Sequence, residues 1–150
     1  MTHILIVAHA PLASALGQLA HHTFPDCAAG LSVIDVAADE VPASIEALVR
    51  QRVAGRSTLI LTDVFGATPC NAALRVADGV QVRVVSGVNV PMLWRALCYA
   101  GEPLEALVTR AVDGGTQGVM RLATAPPHNQ ANNINKPQGP DGQEPHHDQQ

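Results

Sequence analysis

Apolar residues recur along the chain in two rhythms. Short, nearly continuous apolar runs occupy residues 3–8, 31–36, 57–62 and 80–85. Each is about the length of a strand, rich in Val, Ile and Leu, and bounded by turn residues, as expected of strands buried on both faces. Between them the apolar positions fall three and four apart. Leu12, Ala15, Leu16, Leu19 and Ala20 predict a helix over 11–22. Pro11 suits its first turn, where a missing N–H is no loss, and places His9 or Ala10 at the N-cap. After a loop at 23–30 and the second strand, Pro42 opens a helix carrying Ile45, Leu48, Val49 and Val53 on one face. The third strand ends at Asp63; a turn with Gly66 follows, then a helix from about Pro69 to Val76. Pro91 opens a helix with Met92, Leu93, Leu97 and Cys98, and Pro103 a last one to about Val112. Gly114-Gly115 leaves open whether that helix continues to Leu122.

Strands alternating with helices predict an α/β domain: an open, mainly parallel four-stranded sheet with helices on both faces. Right-handed crossovers set the hand of each unit. The order 2-1-3-4 puts a topological switch point between the first and third strands, where such sheets bind ligands beyond their carboxyl ends. His9 and Asp63 close those two strands and would meet there. From about Ala125 the chain turns to Pro, Asn, Gln and Gly with little to bury. The reading is one domain over 1–125 and a disordered tail over 126–150.

Composition narrows the chemistry. Of 150 residues, 47% are hydrophobic, 15% charged and 3% aromatic, so the core is aliphatic. A formal net charge of -4 without a Lys/Arg cluster argues against nucleic acid or a membrane surface as partner. Cys27, Cys70 and Cys98 form no CxxC pair and read as reduced thiols of a cytoplasmic protein. The first apolar run lacks a basic lead-in and is too short for a signal peptide or a membrane span.

Three strand ends converge in this scheme: His9; Asp63 with Gly66, Thr68 and Asn71; and Gly87 with Asn89. A histidine nucleophile needs one unprotonated nitrogen facing its substrate and a partner that fixes the tautomer and steadies the developing imidazolium. Asp63 can be that partner, as the triad aspartate is for its histidine. Phosphoryl oxygens would find donors in the N–H groups opening the first helix, with Ala10 beside them, and in Gly66 and the Thr68 hydroxyl. Each residue has a plainer reading. Asp63 could cap the next helix, Thr68 is the better cap candidate, and Asn89 is a turn residue or a site-lining one.

These stretches resemble the mannose-type IIA (EIIA) domain of the bacterial sugar phosphotransferase system. The likeness covers roughly residues 1–123. It is carried by the strand ending at His9 with Pro11-Leu12, by Asp63-Val64-Phe65-Gly66-Ala67-Thr68-Pro69-Cys70-Asn71, and by Gly87-Val88-Asn89-Val90-Pro91-Met92-Leu93. It implies that His9 accepts phosphate at Nε2 from the phosphohistidine of the carrier HPr, that Asp63 pairs with the other ring nitrogen, and that Thr68 helps hold the phosphoryl group. It also implies a homodimer exchanging a C-terminal edge strand, here near residues 119–126, and neither a metal nor an organic cofactor. Where the family usually reads Thr-His-Gly, this chain reads Ala8-His9-Ala10. That removes a hydroxyl donor and a flexible turn residue. No EIIB domain is expected to follow within this sequence. The resemblance then implies a separate EIIB acceptor, with membrane contact only through a permease complex, or else a regulatory module whose His9 phosphorylation state is read by protein partners.

Overall fold

The structure is a computed structural model that describes residues 1–125; the expected tail, residues 126–150, lies outside the described residues. Contacts divide the chain into two units, Met1–Val119 and Met120–Gln150. The first unit holds β1 (His3–His9), α1 (Leu12–Thr23), β2 (Ser32–Val36), α2 (Pro42–Val53), β3 (Thr58–Thr62), α3 (Thr68–Val76), β4 (Val82–Ser86), α4 (Val90–Cys98) and α5 (Leu104–Gln117).

The four strands form a parallel sheet in the order β2-β1-β3-β4, as the alternation of strands and helices predicts. Alternate side chains of each strand enter one of two cores. Ile4, Ile6 and Ala8 pack with Leu59 and Leu61 against α1, α4 and α5. Leu5, Val7, Ile34, Val36 and Ile60 pack against Ile45 and Val49 of α2 and Ala72 and Ala73 of α3. β1 and β3 are buried on both faces, which is why they read as unbroken apolar runs rather than alternating ones. In β2 the period returns: Ile34 and Val36 are buried, while Asp35 between them is only half-buried.

Most element ends depart from the sequence expectation by a residue or two, and the last helix by five, with physical reasons. Asp78 takes the N–H groups of Val80, Gln81 and Val82 on one carboxylate oxygen, so residues 80 and 81 belong to a turn and β4 begins at Val82. α5 runs through Gly114-Gly115 to Gln117 because those glycines are packing residues. A Cβ on Gly114 would stand 2.7 Å from Arg95 Cβ, and one on Gly115 2.7 Å from Met92 Cε, so α5 approaches α4 more closely than any side chain allows. The edge strand expected near residues 119–126 is absent over 119–125, where no ladder hydrogen bond joins another strand; residue 126 lies outside the described residues. Among the described residues no helix is long and apolar enough to cross a membrane.

Candidate functional site

Parallel pairing of β1 and β3 aligns Val7 with Thr62, so His9 and Asp63 emerge at the same carboxyl end. The order β2-β1-β3 makes this the point from which consecutive connections depart in opposite directions, leaving a crevice above the strand ends. Asp63 Oδ2 accepts the His9 backbone N–H at 3.0 Å and stands 2.7 Å from His9 Nδ1. Its Oδ1 accepts the Val64 N–H at 3.0 Å. An ionised carboxylate only accepts, so the ring proton sits on Nδ1 and the Nε2 lone pair is left free. The His9 side chain is 47% exposed and that of Asp63 14%, so the carboxylate is shielded while the imidazole faces solvent. Partial burial alone would push the Asp63 carboxyl up; the His9 N–H, the His9 ring and its own backbone N–H outweigh it and hold the carboxyl below its ordinary value.

The loop after Asp63 is built to turn sharply. Gly66 has φ +91°, a conformation that side chains resist. Asn71, on the first turn of α3, donates from Nδ2 to the Gly66 carbonyl at 3.2 Å and braces that turn. Thr68 is the first residue of α3, not its cap: Ala67 holds the cap position, and no side chain caps this helix. Pro69 is the reason, since its fixed φ suits the second helical residue and sets the start at Thr68. The Thr68 side chain is half-buried. Asp63 does not cap α3 either.

Asn89 caps α4. Its Oδ1 accepts the Met92 N–H at 2.9 Å and its Nδ2 donates to the Gly115 carbonyl at 3.1 Å, so both ends of the amide are spent joining α4 to α5. Asn89 is thus the cap of α4, a role that neither reading of the sequence named.

Two expectations at the start of α1 need correction. The N-cap is Pro11, not His9 or Ala10, and Pro11 has no side-chain acceptor to offer. The Ala10 N–H is also spent, donating to the Val36 carbonyl at 2.9 Å and extending the β1–β2 ladder past His9. The Leu12 and Ala13 N–H groups, which follow the turn at Ala10-Pro11, make no hydrogen bond of good geometry among the described residues. The next N–H, that of Ser14, donates to Asp35 Oδ1 at 2.9 Å, and the Ser14 hydroxyl bonds Asp35 Oδ2. Asp35 thus supplies from a neighbouring strand the acceptor that a Ser or Asp at the N-cap would ordinarily supply. The signal available for it was an acidic residue inside an otherwise apolar strand, one place from its carboxyl end.

Beside Asp63, Val64 and Phe65 stand 51% and 77% exposed, an apolar tip next to the imidazole. A cavity of about 550 Å³ opens elsewhere, at the amino end of β1, lined by His3, Cys27, Arg56 and Cys98 among others; it touches none of the site residues. Among the described residues, no three His, Cys, Asp or Glu side chains gather as a metal cluster.

The likeness to known proteins agrees with this architecture. The chain spans less than a quarter of the curated relatives it matches. One of them, the PTS system mannose-specific EIIAB component of Escherichia coli (strain K12), is 38% identical over 74 residues, which cover 47% of this chain and 23% of that protein. The mannose/sorbose specific IIA subunit of the phosphotransferase system from Enterococcus faecalis superposes with a TM-score of 0.75 at 22% identity, over 83% of this chain and 97% of that one. The phosphotransferase system component EIIA from Streptococcus agalactiae gives a TM-score of 0.73, also at 22% identity, over 81% and 97% of the two chains. At such identities the structures attest the fold. A family model described as PTS system fructose IIA component matches residues 3–112. By that match over most of its length, the chain belongs to the mannose-type EIIA family of the phosphotransferase system.

Proposed function

We propose that His9 carries a phosphoryl group at Nε2, received from phospho-HPr and passed to a separate EIIB component. The observation that carries this reading is the 2.7 Å contact between His9 Nδ1 and Asp63 Oδ2, which leaves Nε2 as the basic, exposed nitrogen. In the forward step the Nε2 lone pair attacks the phosphorus of the donor phosphohistidine. The donor's N–P bond breaks, and its electron pair returns to the donor imidazole. His9 becomes a phosphorylated imidazolium, and Asp63 steadies that charge through Nδ1–H. Passing the group on reverses the same bonds toward the acceptor. Little covalent chemistry is asked of the protein, so positioning and electrostatics carry the catalysis.

The phosphoryl oxygens are met by the Leu12 and Ala13 N–H groups at the start of α1 and by Gly66 and the Thr68 hydroxyl across the crevice. Asn71 holds the Gly66 turn, and Asn89 holds α4 to α5 behind it. An exposed imidazole flanked by Val64 and Phe65 suits a protein donor and a protein acceptor better than an enclosed small substrate. In this reading the protein works in the cytoplasm as a homodimer and approaches the membrane only through a permease complex.

The test is incubation with phosphoenolpyruvate, enzyme I and HPr, followed by intact-mass measurement of wild type and His9→Ala. One acid-labile phosphate on wild type and none on the variant is the expected result. No phosphate on wild type while HPr is charged, or equal labelling of both proteins, refutes the proposal.

A further inference from the structure

His9 ends a strand flanked by two aspartates. Asp63 lies beyond β3 on one side; Asp35 lies in β2 on the other, paired in register with Ala8. Asp63 grips the imidazole, whereas Asp35 grips the helix that follows it. The alternation of β2 explains the direction: Ile34 and Val36 enter the core under α2 and α3, and Val33, on the opposite face, meets α1 at Gly17. Asp35 therefore turns toward α1 and takes both the N–H and the hydroxyl of Ser14. Among the described residues it has no Lys or Arg partner. The first turn of α1 carries no acidic residue of its own. The Asp35 charge is thus met by the amino end of α1 alone, through the N–H next in line after those of Leu12 and Ala13.

From this arrangement we infer that Asp35 is a second, positioning carboxylate of the phosphoryl site, whose charge keeps phospho-His9 easy to discharge; the inference rests on the phosphocarrier reading above. With His9 empty, the amino end of α1 serves Asp35. With His9 phosphorylated, the same helix end faces two anions, and each weakens its hold on the other. Asp35 never touches the phosphoryl group. It acts through Ser14, first by fixing the opening turn of α1 so that the Leu12 and Ala13 N–H groups stay unpaired, then by its charge. A carrier that bound its phosphoryl group too firmly would stall after the first transfer, so a competing anion at that helix end favours passing it on.

The experiment is an equilibrium one. Full-length wild type, Asp35→Asn and Asp35→Ser are mixed with phospho-HPr, quenched, and both phosphohistidines are counted. Asn keeps an oxygen for the Ser14 N–H and removes the charge; Ser also removes the charge but is one bond too short to reach that N–H, which water then satisfies, so it serves as a second neutral variant if Asn does not fold. Relative to wild type, both should shift the distribution toward phospho-His9 by about two- to fivefold, the size expected of one charge at a helix end. The shift should shrink as salt rises to about 1 M, where surface charges are screened; a purely structural role would not respond in that way. A distribution equal to wild type in the folded neutral variants, or a shift that ignores salt, overturns the inference while leaving the carrier reading in place. If wild type accepts no phosphoryl group from charged HPr, the carrier reading itself fails and this inference with it.

Discussion

Asp63→Asn is the most informative single change. The carboxylate makes three contacts: Oδ2 accepts from the His9 N–H and pairs with His9 Nδ1, while Oδ1 accepts from the Val64 N–H. An amide has one oxygen and one NH2, so it cannot satisfy all three. If the amide oxygen keeps the His9 side, NH2 faces the Val64 N–H, donor against donor. If it turns to Val64, NH2 faces the His9 N–H and donates to Nδ1, which moves the ring proton to Nε2 and removes the nucleophilic lone pair. Either way the charge that steadies the imidazolium is gone. A hydrogen bond to a charged group contributes about 1.5–3 kcal/mol. At about 1.4 kcal/mol per tenfold, phosphoryl transfer to His9 should slow by roughly 10- to 150-fold. The fold should survive with a stability loss of about 1 kcal/mol, because the site is partly open to water that can satisfy the mismatched donor. Rapid-quench measurement of transfer from labelled phospho-HPr, with urea unfolding as the control, reads both numbers. Transfer within threefold of wild type in a folded variant would show that Asp63 neither sets the tautomer nor steadies the charge.

Three further changes probe the frame around the site. The Thr62 hydroxyl is buried without a partner among the described residues, so Thr62→Val should be neutral or raise stability by up to about 1 kcal/mol in urea unfolding. Gly114→Ala should destabilise by about 1–3 kcal/mol despite alanine's better helix propensity, because the new methyl meets Arg95 Cβ at 2.7 Å; a gain in melting temperature would contradict the close packing of α4 and α5. His3 is pushed down by burial and by the nearby Arg56 guanidinium, against a raising hydrogen bond that its ring donates to the Gly30 carbonyl. The unfolded chain therefore takes up the proton first, so wild-type stability should fall as pH drops through about 6.5 and level off once the folded ring also protonates. His3→Gln should lack that step; identical pH profiles would remove His3 as its source.

Much of the architecture was legible in the chain because it depends on local periodicity and a few topological rules. The runs at 3–8 and 57–62 marked β1 and β3 because both faces of those strands are covered. β2 and β4 were harder to bound, since their alternation leaves residues such as Asp35 and Arg83 half-buried. The sheet order followed from alternating strands and helices with a switch point, and the structure has it. The prolines placed the helix starts to within a residue. At Pro11, however, the cap was assigned to the wrong residue, because a proline on the first turn marks a start without saying which neighbour turns first.

The sequence by itself determined the parallel sheet in the order 2-1-3-4 and the residues at its carboxyl end, His9 and Asp63 among them. Apolar period, proline position and strand order act within a few residues or through general rules of chain connection. The pairing of Asp63 with His9 Nδ1 followed from the family resemblance, and the structure has the contact; only the tertiary structure decided that the Ala10 N–H goes to Val36, that Asn89 joins α4 to Gly115, and that Asp35 caps α1 from the neighbouring strand. Each of these joins groups far apart in the chain. Such pairings depend on strand register and on how closely helices approach, and no local pattern of side chains encodes either.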